Sequence, residues 1–408
     1  MDFCSILNYQ GSKRNLLDFI HSNVNNLISP ESTVLDIFAG TCSVGYSFKR
    51  NHTIYANDSE LYSYIISTAL LGEYNLNKND LFDKIDVFFN ENLLKFRTVY
   101  LELKKEEEHL ILKNDSHSLI AFYQDVPTIW NQNASFNLHV NYELFTTYYS
   151  ASYFGVKQSM EIDSLRYAIE QFKNTTTYSM LLTSLFFAMK ECVFSKDGHM
   201  AQPLNPEKNQ SKLLTQRKKS IYNYFKEKVS EFFSDRFVNV SRNNKTYNLN
   251  FEDLLKLESI QNDVNFIYAD PPYTDMQYSR YYHLLNIVAK YSYPLPTKNS
   301  GNYTKGLYTE DRYQSKLSSK STCLTSFSNL VEFATTYKKS LAISFAYPKD
   351  VKNQKTDRYV MSINDLIATC SSSFGSKNVE VATSDYTHSN NRNSSPKKVI
   401  EYLILCKN

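Results

Sequence analysis

The sequence predicts a doubly wound α/β sheet with a largely helical insertion, and three observations carry that prediction. Residues 33–70 read as strand, glycine-bearing turn, helix, strand and helix. Strand patterns resume only after about residue 240 and close in a terminal hairpin. The stretch between them carries helical periodicity with no strand–helix alternation and no internal repeat. The expected organisation is therefore one sheet unit built from 1–70 and 241–408, with a helical unit inserted over 71–240.

Taken in order, residues 33–37 (Thr-Val-Leu-Asp-Ile) form a short apolar strand, residues 38–45 are small and turn-forming, and a helix starts over 46–49. A second strand at 53–56 puts Asn57 and Asp58 at its carboxyl end. Ser59 then caps a helix whose apolar residues Leu61, Ile65, Ile66, Ala69 and Leu70 recur at helical spacing. In the insertion, the charged run 102–108 reads as a solvated helix face. Strands are expected at 246–251, with Asp253 at its end, and at 264–268. A helix follows at 281–290, then a long polar loop at 297–322 that reads as mobile. A helix at about 325–338 leads to a strand at 340–346, and 379–384 pairs with 398–406 around a polar Asn/Ser turn.

Composition narrows the function classes. With 408 residues and 14% aromatics the chain buries a sizeable core and is not globally disordered. Mean hydropathy is −0.45, so no membrane span is expected. The acidic start Met1-Asp2-Phe3 lacks the basic and apolar leader of a signal peptide, so none is expected and the location is expected to be cytoplasmic. Six scattered cysteines without a C-x-x-C pair read as reduced and mostly buried. Asn, Lys, Tyr and Ile are abundant, a bias we attribute to AT-rich coding. Against only nine glycines, those at 11, 40 and 45 stand out.

The strongest local signal is Asp270-Pro271-Pro272-Tyr273, directly after an apolar strand. Two prolines cannot continue a central strand, so the chain turns there with fixed φ. The turn is expected to aim the Asp270 carboxylate and the Pro271 carbonyl out of the carboxyl edge of the sheet, with Pro272 fixing the bend. Two adjacent acceptors suit an exocyclic amine with two N–H donors, and the Tyr273 ring offers a face for a planar base. The plain alternative is a tight turn with incidental Asp and Tyr. A second pattern, Asp36-Ile-Phe38-Ala-Gly40-x-x-x-x-Gly45, is a strand, a glycine turn and a helix start. Glycine there lets the backbone approach a ligand and frees amides to bind it. The spacing differs from the dinucleotide G-x-G-x-x-G, which argues against NAD. Asp58 lies 22 residues after Asp36, where an acid commonly takes ribose hydroxyls. Tyr9-Gln-Gly11-Ser-Lys13 near the start and Asp253, 17 residues before Asp270, complete the set.

Together these five pieces, in this order, resemble the D12-type (Dam-like) DNA adenine-N6 methyltransferases, which use S-adenosylmethionine. The resemblance covers about 1–70 and 245–290, extends to the terminal Glu401-Tyr-Leu-Ile-Leu strand, and matches the insertion only loosely. It implies a Rossmann-like methyltransferase sheet with a target-recognition insertion. It also implies that Tyr9, Gly11, Lys13, Asp36, Phe38, Gly40, Asp58 and Asp253 hold the cofactor. Asp270, Pro271, Pro272 and Tyr273 would receive a flipped adenine. Direct transfer from a sulfonium needs no metal. Cys42 stands where the family loop often has a second glycine.

Duplex DNA is the expected partner, within a restriction–modification or related system whose nuclease would be encoded elsewhere. Residues 190–228 carry nine Lys/Arg against four Asp/Glu, a local +5 that exceeds the whole-chain +3. Within and beside that stretch, Lys196, His199, Gln202, Lys212, Arg217, Lys218 and Lys219 are candidate DNA contacts. Arg280, in the Gln277–His283 run past the motif, is another. A solvated helix face and aromatic packing are the respective bland readings. The same acceptor geometry also serves cytosine N4, an RNA adenine or a glutamine amide, and a catalytically silent nucleic-acid-binding module would keep the same fold.

Overall fold

The computed structural model describes residues 5–9, 11–129, 142–275, 278–292, 296–309, 312–349, 358–388 and 397–408. Seven strands form one sheet: β1 (Thr33–Asp36), β2 (Thr53–Asn57), β3 (Lys245–Tyr247), β4 (Phe266–Ala269), β5 (Ser340–Pro348), β6 (Val379–His388) and β7 (Lys397–Cys406). Their order is β3-β2-β1-β4-β5-β7-β6. The first five run parallel, with Val34 opposite both Ile54 and Phe266, and Ile267 opposite Leu341. The hairpin then enters antiparallel, with Leu341 opposite Cys406 and Val379 opposite Cys406. Its polar turn lies outside the described residues. The chain winds outward in both directions from the β1–β4 pair, so a crevice opens at the carboxyl ends of those strands.

The α/β expectation therefore holds, and the alternation of side chains explains the layering. Val34, Ile54, Phe266 and Tyr268 face one side of the sheet, whereas Leu35, Tyr55, Ile267 and Leu341 face the other. The first side is covered by α1 (Leu17–Val24), α3 (Leu61–Leu71), α8 (Thr177–Cys192), α10 (Ile221–Phe232) and α12 (His283–Lys290). The helix between α1 and α3, α2 (Ser43–Phe48), follows the glycine turn. The second side is covered by α11 (Phe251–Leu254), α13 (Cys323–Thr336) and α14 (Ile363–Phe374). Residues 363–374 carry a helix that the sequence reading did not place. Ser362 and Asp365 form its capping box, and Leu366, Cys370 and Phe374 are buried at four-residue spacing.

The helical stretch 71–240 serves two layers. Its α8 and α10 belong to the core that covers the sheet, together with α4 (Lys78–Leu93) and part of α7 (Val156–Glu170). Here α8 is buried on almost every side, as suits a helix sandwiched between others. Helices α5 (Thr98–Leu112), α6 (Ser116–Asp125) and α9 (Gln210–Arg217) enclose a smaller core around Phe96, Tyr100, Leu119, Met160 and Leu213. The charged run 102–108 is not wholly solvated: Glu107 is buried and accepts from the Val156 and Lys157 amides, at 2.8 and 2.9 Å, at the N-terminus of α7. The five described cysteines are free and buried, and Cys4 lies outside the described residues. Among the described residues no helix is long and apolar enough to cross a membrane.

One buried cation joins the end of α2 to α3 and to the chain that leaves α10. Lys49, just past α2, donates to the carbonyls of Leu70 (3.0 Å), Gly72 (2.7 Å) and Val238 (2.8 Å). It closes the C-terminal end of α3 and pins the chain leaving α10. Burial lowers its pKa to about 8. Lys49→Met keeps the volume but removes the donor from three carbonyls, so it should cost about 3 kcal/mol or more in chemical denaturation. An unchanged denaturation midpoint would refute this role.

Candidate active site

Strand β4 ends at Ala269, and the next residue, Asp270, begins the double-proline turn at the mouth of the crevice. Its carboxylate does not stand alone. The ammonium of Lys13 lies 3.0 Å from Asp270 Oδ1 and 3.0 Å from Glu401 Oε1, and 5.5 Å from the Tyr273 ring centroid. Lys13 and Glu401 are nearly inaccessible, whereas the Asp270 side chain keeps 20% exposure, on the side open to a ligand. Burial pushes the Asp270 carboxyl up to about 7, with Glu401 raising it further and Lys13 opposing. The two carboxylates hold the Lys13 pKa well above its ordinary value despite burial. Lys13 reaches this position because Gly11, at φ 82°, turns the chain into the short helical turn Arg14–Leu16.

The glycine loop is built on two buried acids. Asp36, at the end of β1, accepts from the Gly45 amide at 2.9 Å, and burial raises its pKa to about 7. Asp58 accepts from the Gly40 amide at 2.8 Å and the Glu60 amide at 2.9 Å, and burial raises its pKa to about 6. Gly40 itself has φ 53°, and a Cβ there would sit 2.9 Å from the Tyr9 ring. Cys42 also takes a left-handed conformation, φ 56°. This explains why glycine is usual at that point of the loop: the geometry requires a positive φ, and here a small buried side chain tolerates it.

These elements enclose a cavity of about 1050 Å³ that opens to solvent. Of the residues singled out from sequence, Tyr9, Gly11, Lys13, Asp36, Phe38, Gly40, Asp58, Asp270, Pro271, Pro272 and Tyr273 all line it. Asp253 does not. The strand expected at 246–251 stops at Tyr247, and Asn250 caps α11 by accepting from the Asp253 amide at 2.9 Å. That turn leaves Asp253 half-exposed and paired with Lys256 at 2.5 Å, while Leu249 and Phe251 line the cavity instead. Tyr273 is packed rather than open, edge-on to Phe345 at 5.8 Å and stacked on Tyr359 at 6.3 Å.

Sequence reasoning missed Glu401 and Glu60. Glu401 is the single charge in the apolar run Val399–Cys406, which was a readable signal. Glu60 lines the cavity, accepts from Asn286 at 2.7 Å, and is pushed up to about 7 by burial. Tyr313, Gln314 and Ser315 line it too, although the loop at 297–322 was expected to be mobile. That loop is anchored by fully buried Leu307 and by Tyr308, whose hydroxyl donates to the Ala201 carbonyl at 2.6 Å.

The expected DNA contacts divide. Loop 195–203 is closed by a bridge between Ser195 and Pro203, and the Met200 amide bonds the Tyr281 carbonyl at 2.8 Å, which sets the loop beside the segment carrying Ser279 of the cavity wall. It presents Lys196 and Gln202 to solvent, with His199 half-buried edge-on to Tyr281 at 5.3 Å. Arg280 is exposed nearby, and Gln277 lies outside the described residues. Arg217 is excluded as a contact. It is buried, donating to Tyr123 Oη (3.0 Å) and to the Ser152 (3.0 Å) and Tyr153 (3.3 Å) carbonyls, so it ties α9 to α6 and to the segment that precedes α7. Lys212, Lys218 and Lys219 are directed to the Ser195 carbonyl (2.8 Å), Asn114 (2.5 Å) and the Glu191 carbonyl (2.7 Å).

Comparison with known proteins agrees with this geometry. Residues 9–344 match the family described as D12 class N6 adenine-specific DNA methyltransferase. The chain is 24% identical over 98% of its length to modification methylase LlaI of Lactococcus lactis subsp. lactis, covering 55% of that protein. It is 27% identical over 71% of its length to the type II methyltransferase M.FokI of Planomicrobium okeanokoites, covering 37% of it. It is 24% identical over 74% of its length to the type II methyltransferase M.NlaIII of Neisseria lactamica, covering 75% of it. The chain thus spans about half or less of the length of the first two relatives. With the family match covering most of the sequence, the chain belongs to the D12 class N6 adenine-specific DNA methyltransferase family, whose members use S-adenosylmethionine as methyl donor.

Proposed function

We propose that this protein transfers a methyl group from S-adenosylmethionine to N6 of an adenine flipped out of duplex DNA. The observation that carries the reading is the Asp270 carboxylate, held by Lys13 on one oxygen and facing a cavity already furnished with a glycine loop and ribose-type acids. The residues present fit the cofactor. Gly40 leaves the space beside Tyr9 that any Cβ would fill, and Asp58 and Glu60 offer carboxylate oxygens near the loop for hydroxyl donors. Tyr9, Phe38 and Phe251 supply apolar walls. When bound, S-adenosylmethionine supplies a sulfonium-linked methyl group of electrophilic character.

The chain's own part is acceptance and positioning. The adenine amine is a weak nucleophile because its lone pair is conjugated with the ring. Asp270 and the Pro271 carbonyl, both on the cavity wall, would accept its two N–H groups, which localises the lone pair and fixes its direction. The double proline keeps the two acceptors adjacent. Tyr273, braced by Phe345 and Tyr359, lines the cavity with Asp270 and is the candidate surface for stacking the base, worth about 1–3 kcal/mol by analogy with single-strand binders. The bridged loop 195–203 and the rest of 71–240 are proposed as the target-recognition part, with Lys196, His199 and Gln202 as its contacts near the cavity. Relatives named as modification methylases support a restriction–modification setting, with a cognate endonuclease as the implied partner.

Two predictions follow from the carboxylate. Asp270→Ala should cut methyl transfer at least about a hundredfold while leaving S-adenosylmethionine affinity within a fewfold of wild type; an active variant would overturn the mechanism. Because Asp270 must be ionised to accept, and burial sets its pKa at about 7, the wild-type single-turnover rate should fall as pH drops through about 7. A rate independent of pH between 5.5 and 8.5, on the order of three units spanning that value, contradicts it. Gly40→Ala strains a left-handed residue by about 1–2 kcal/mol and drives a methyl group into the Tyr9 ring. Its cofactor affinity should drop about tenfold by calorimetric titration, equivalent to about 1.4 kcal/mol, and unaltered affinity would reject the cradle.

A further inference from the structure

We infer that Arg280 and Arg312 form a phosphodiester clamp at the rim of the cavity, so that the loop at 297–322 is a DNA-backbone contact; this rests on the proposed function and adds a site to it. Two arginines approach one ring. The Arg280 guanidinium carbon lies 5.8 Å from the Tyr308 centroid and that of Arg312 lies 4.9 Å from it. Among the described residues neither guanidinium has a carboxylate within ion-pair distance. This sets them apart from most buried or half-buried cations of the chain, such as Lys13, Arg166 and Lys228, which are paired with acids. Arg312 is half-buried, and burial together with the charge of Arg280 lowers its pKa from the ordinary value. Holding two like charges together beside a partly desolvated ring is unfavourable unless an anion joins them.

The placement says which anion. Arg280 follows Ser279 and Arg312 precedes Tyr313, and both Ser279 and Tyr313 line the cavity that holds Asp270. The pair therefore stands at the entrance through which a flipped nucleotide would pass, where the strand's phosphates must lie. The platform between them is rigid. The Tyr308 hydroxyl donates to the Ala201 carbonyl at 2.6 Å, and Tyr153 donates to the Gly306 carbonyl at 3.2 Å. Gly306 is packed so closely that a Cβ would meet the Ala201 carbonyl at 2.5 Å. Loop 195–203, the proposed recognition element, thus supports the same ring. Residues 297–322 carry five Lys/Arg and two Asp/Glu, a net +3 equal to the charge of the whole chain. Guanidinium forks match phosphate oxygens, and aromatic stacking keeps them planar and oriented.

The test is equilibrium binding of a fluorescent unmethylated duplex by the full chain at several salt concentrations. Arg312→Gln should weaken binding by roughly tenfold at low salt and make the slope of log affinity against log salt shallower by about 0.9, the value for one phosphate contact. Its S-adenosylmethionine affinity and thermal midpoint should match wild type. Arg312→Lys keeps the charge and loses the fork, so it should keep the slope and bind more weakly. The inference is overturned if Arg312→Gln retains wild-type affinity and slope, or if it loses cofactor affinity instead. A wild-type protein that binds no duplex would overturn the proposed function along with the clamp. Wild-type binding with an unaltered Arg312→Gln variant would overturn the clamp alone.

Discussion

A single buried ammonium organises the mouth of the crevice at the carboxyl ends of the strands. Lys13 comes from the N-terminal segment, Asp270 from the end of the central strand β4 and Glu401 from the last strand β7, and the lysine touches both acids at 3.0 Å. Pairing such charges out of water brings little net stability, because desolvation offsets the attraction. What it fixes is position. Burial, with Glu401 adding to it and Lys13 opposing, raises the Asp270 carboxyl to about 7, so this group is poised near neutrality. Glu401 keeps Lys13 charged and in place, and Lys13 keeps one oxygen of Asp270 turned inward.

The same economy recurs in the glycine loop. Asp36 and Asp58 are buried acids whose oxygens are taken by the Gly45, Gly40 and Glu60 amides. Each thus shapes the loop backbone before any ligand arrives, which is the preorganisation that positional catalysis needs. The switch point of the sheet sets the three acids Asp36, Asp58 and Asp270 on one edge, because β1, β2 and β4 are parallel neighbours ending there. Fold and site are in this sense one arrangement. The edge is where the strand ends converge, and helices α8 and α10 cover the sheet face behind it, with Lys49 tying the end of α3 to the chain that leaves α10.

Much of this was legible in the sequence. The parallel strands announced themselves as short apolar runs stopped by glycine, proline or Asn-Asp, and the double proline after β4 marked the edge where the cavity opens. Legibility failed where the deciding interaction is tertiary. Arg217 and Arg280 are alike as letters in basic, polar stretches, yet one is sealed among Tyr123, Ser152 and Tyr153 and the other is exposed. Asp253 looked like a strand-end acid until Asn250 turned the chain into a helix and aimed it at Lys256. Glu107 sat in a run of charges that gave no hint of its role at the start of α7. Residues 363–374 were missed although their capping box and four-residue spacing were present between the expected strands at 340–346 and 379–384. Glu401 shows the converse: a lone acid in an apolar strand is costly to bury, and that cost is itself evidence of a partner.

The most direct test of the central claim, that this carboxylate-and-carbonyl turn activates an exocyclic adenine amine, is product identity. The protein would be incubated with isotopically labelled S-adenosylmethionine and unmethylated duplex DNA, and the digested nucleosides analysed by mass spectrometry. The account predicts label in N6-methyladenine and in no other nucleoside. Label in N4-methylcytosine, or none in DNA by a protein that binds the cofactor, would contradict it.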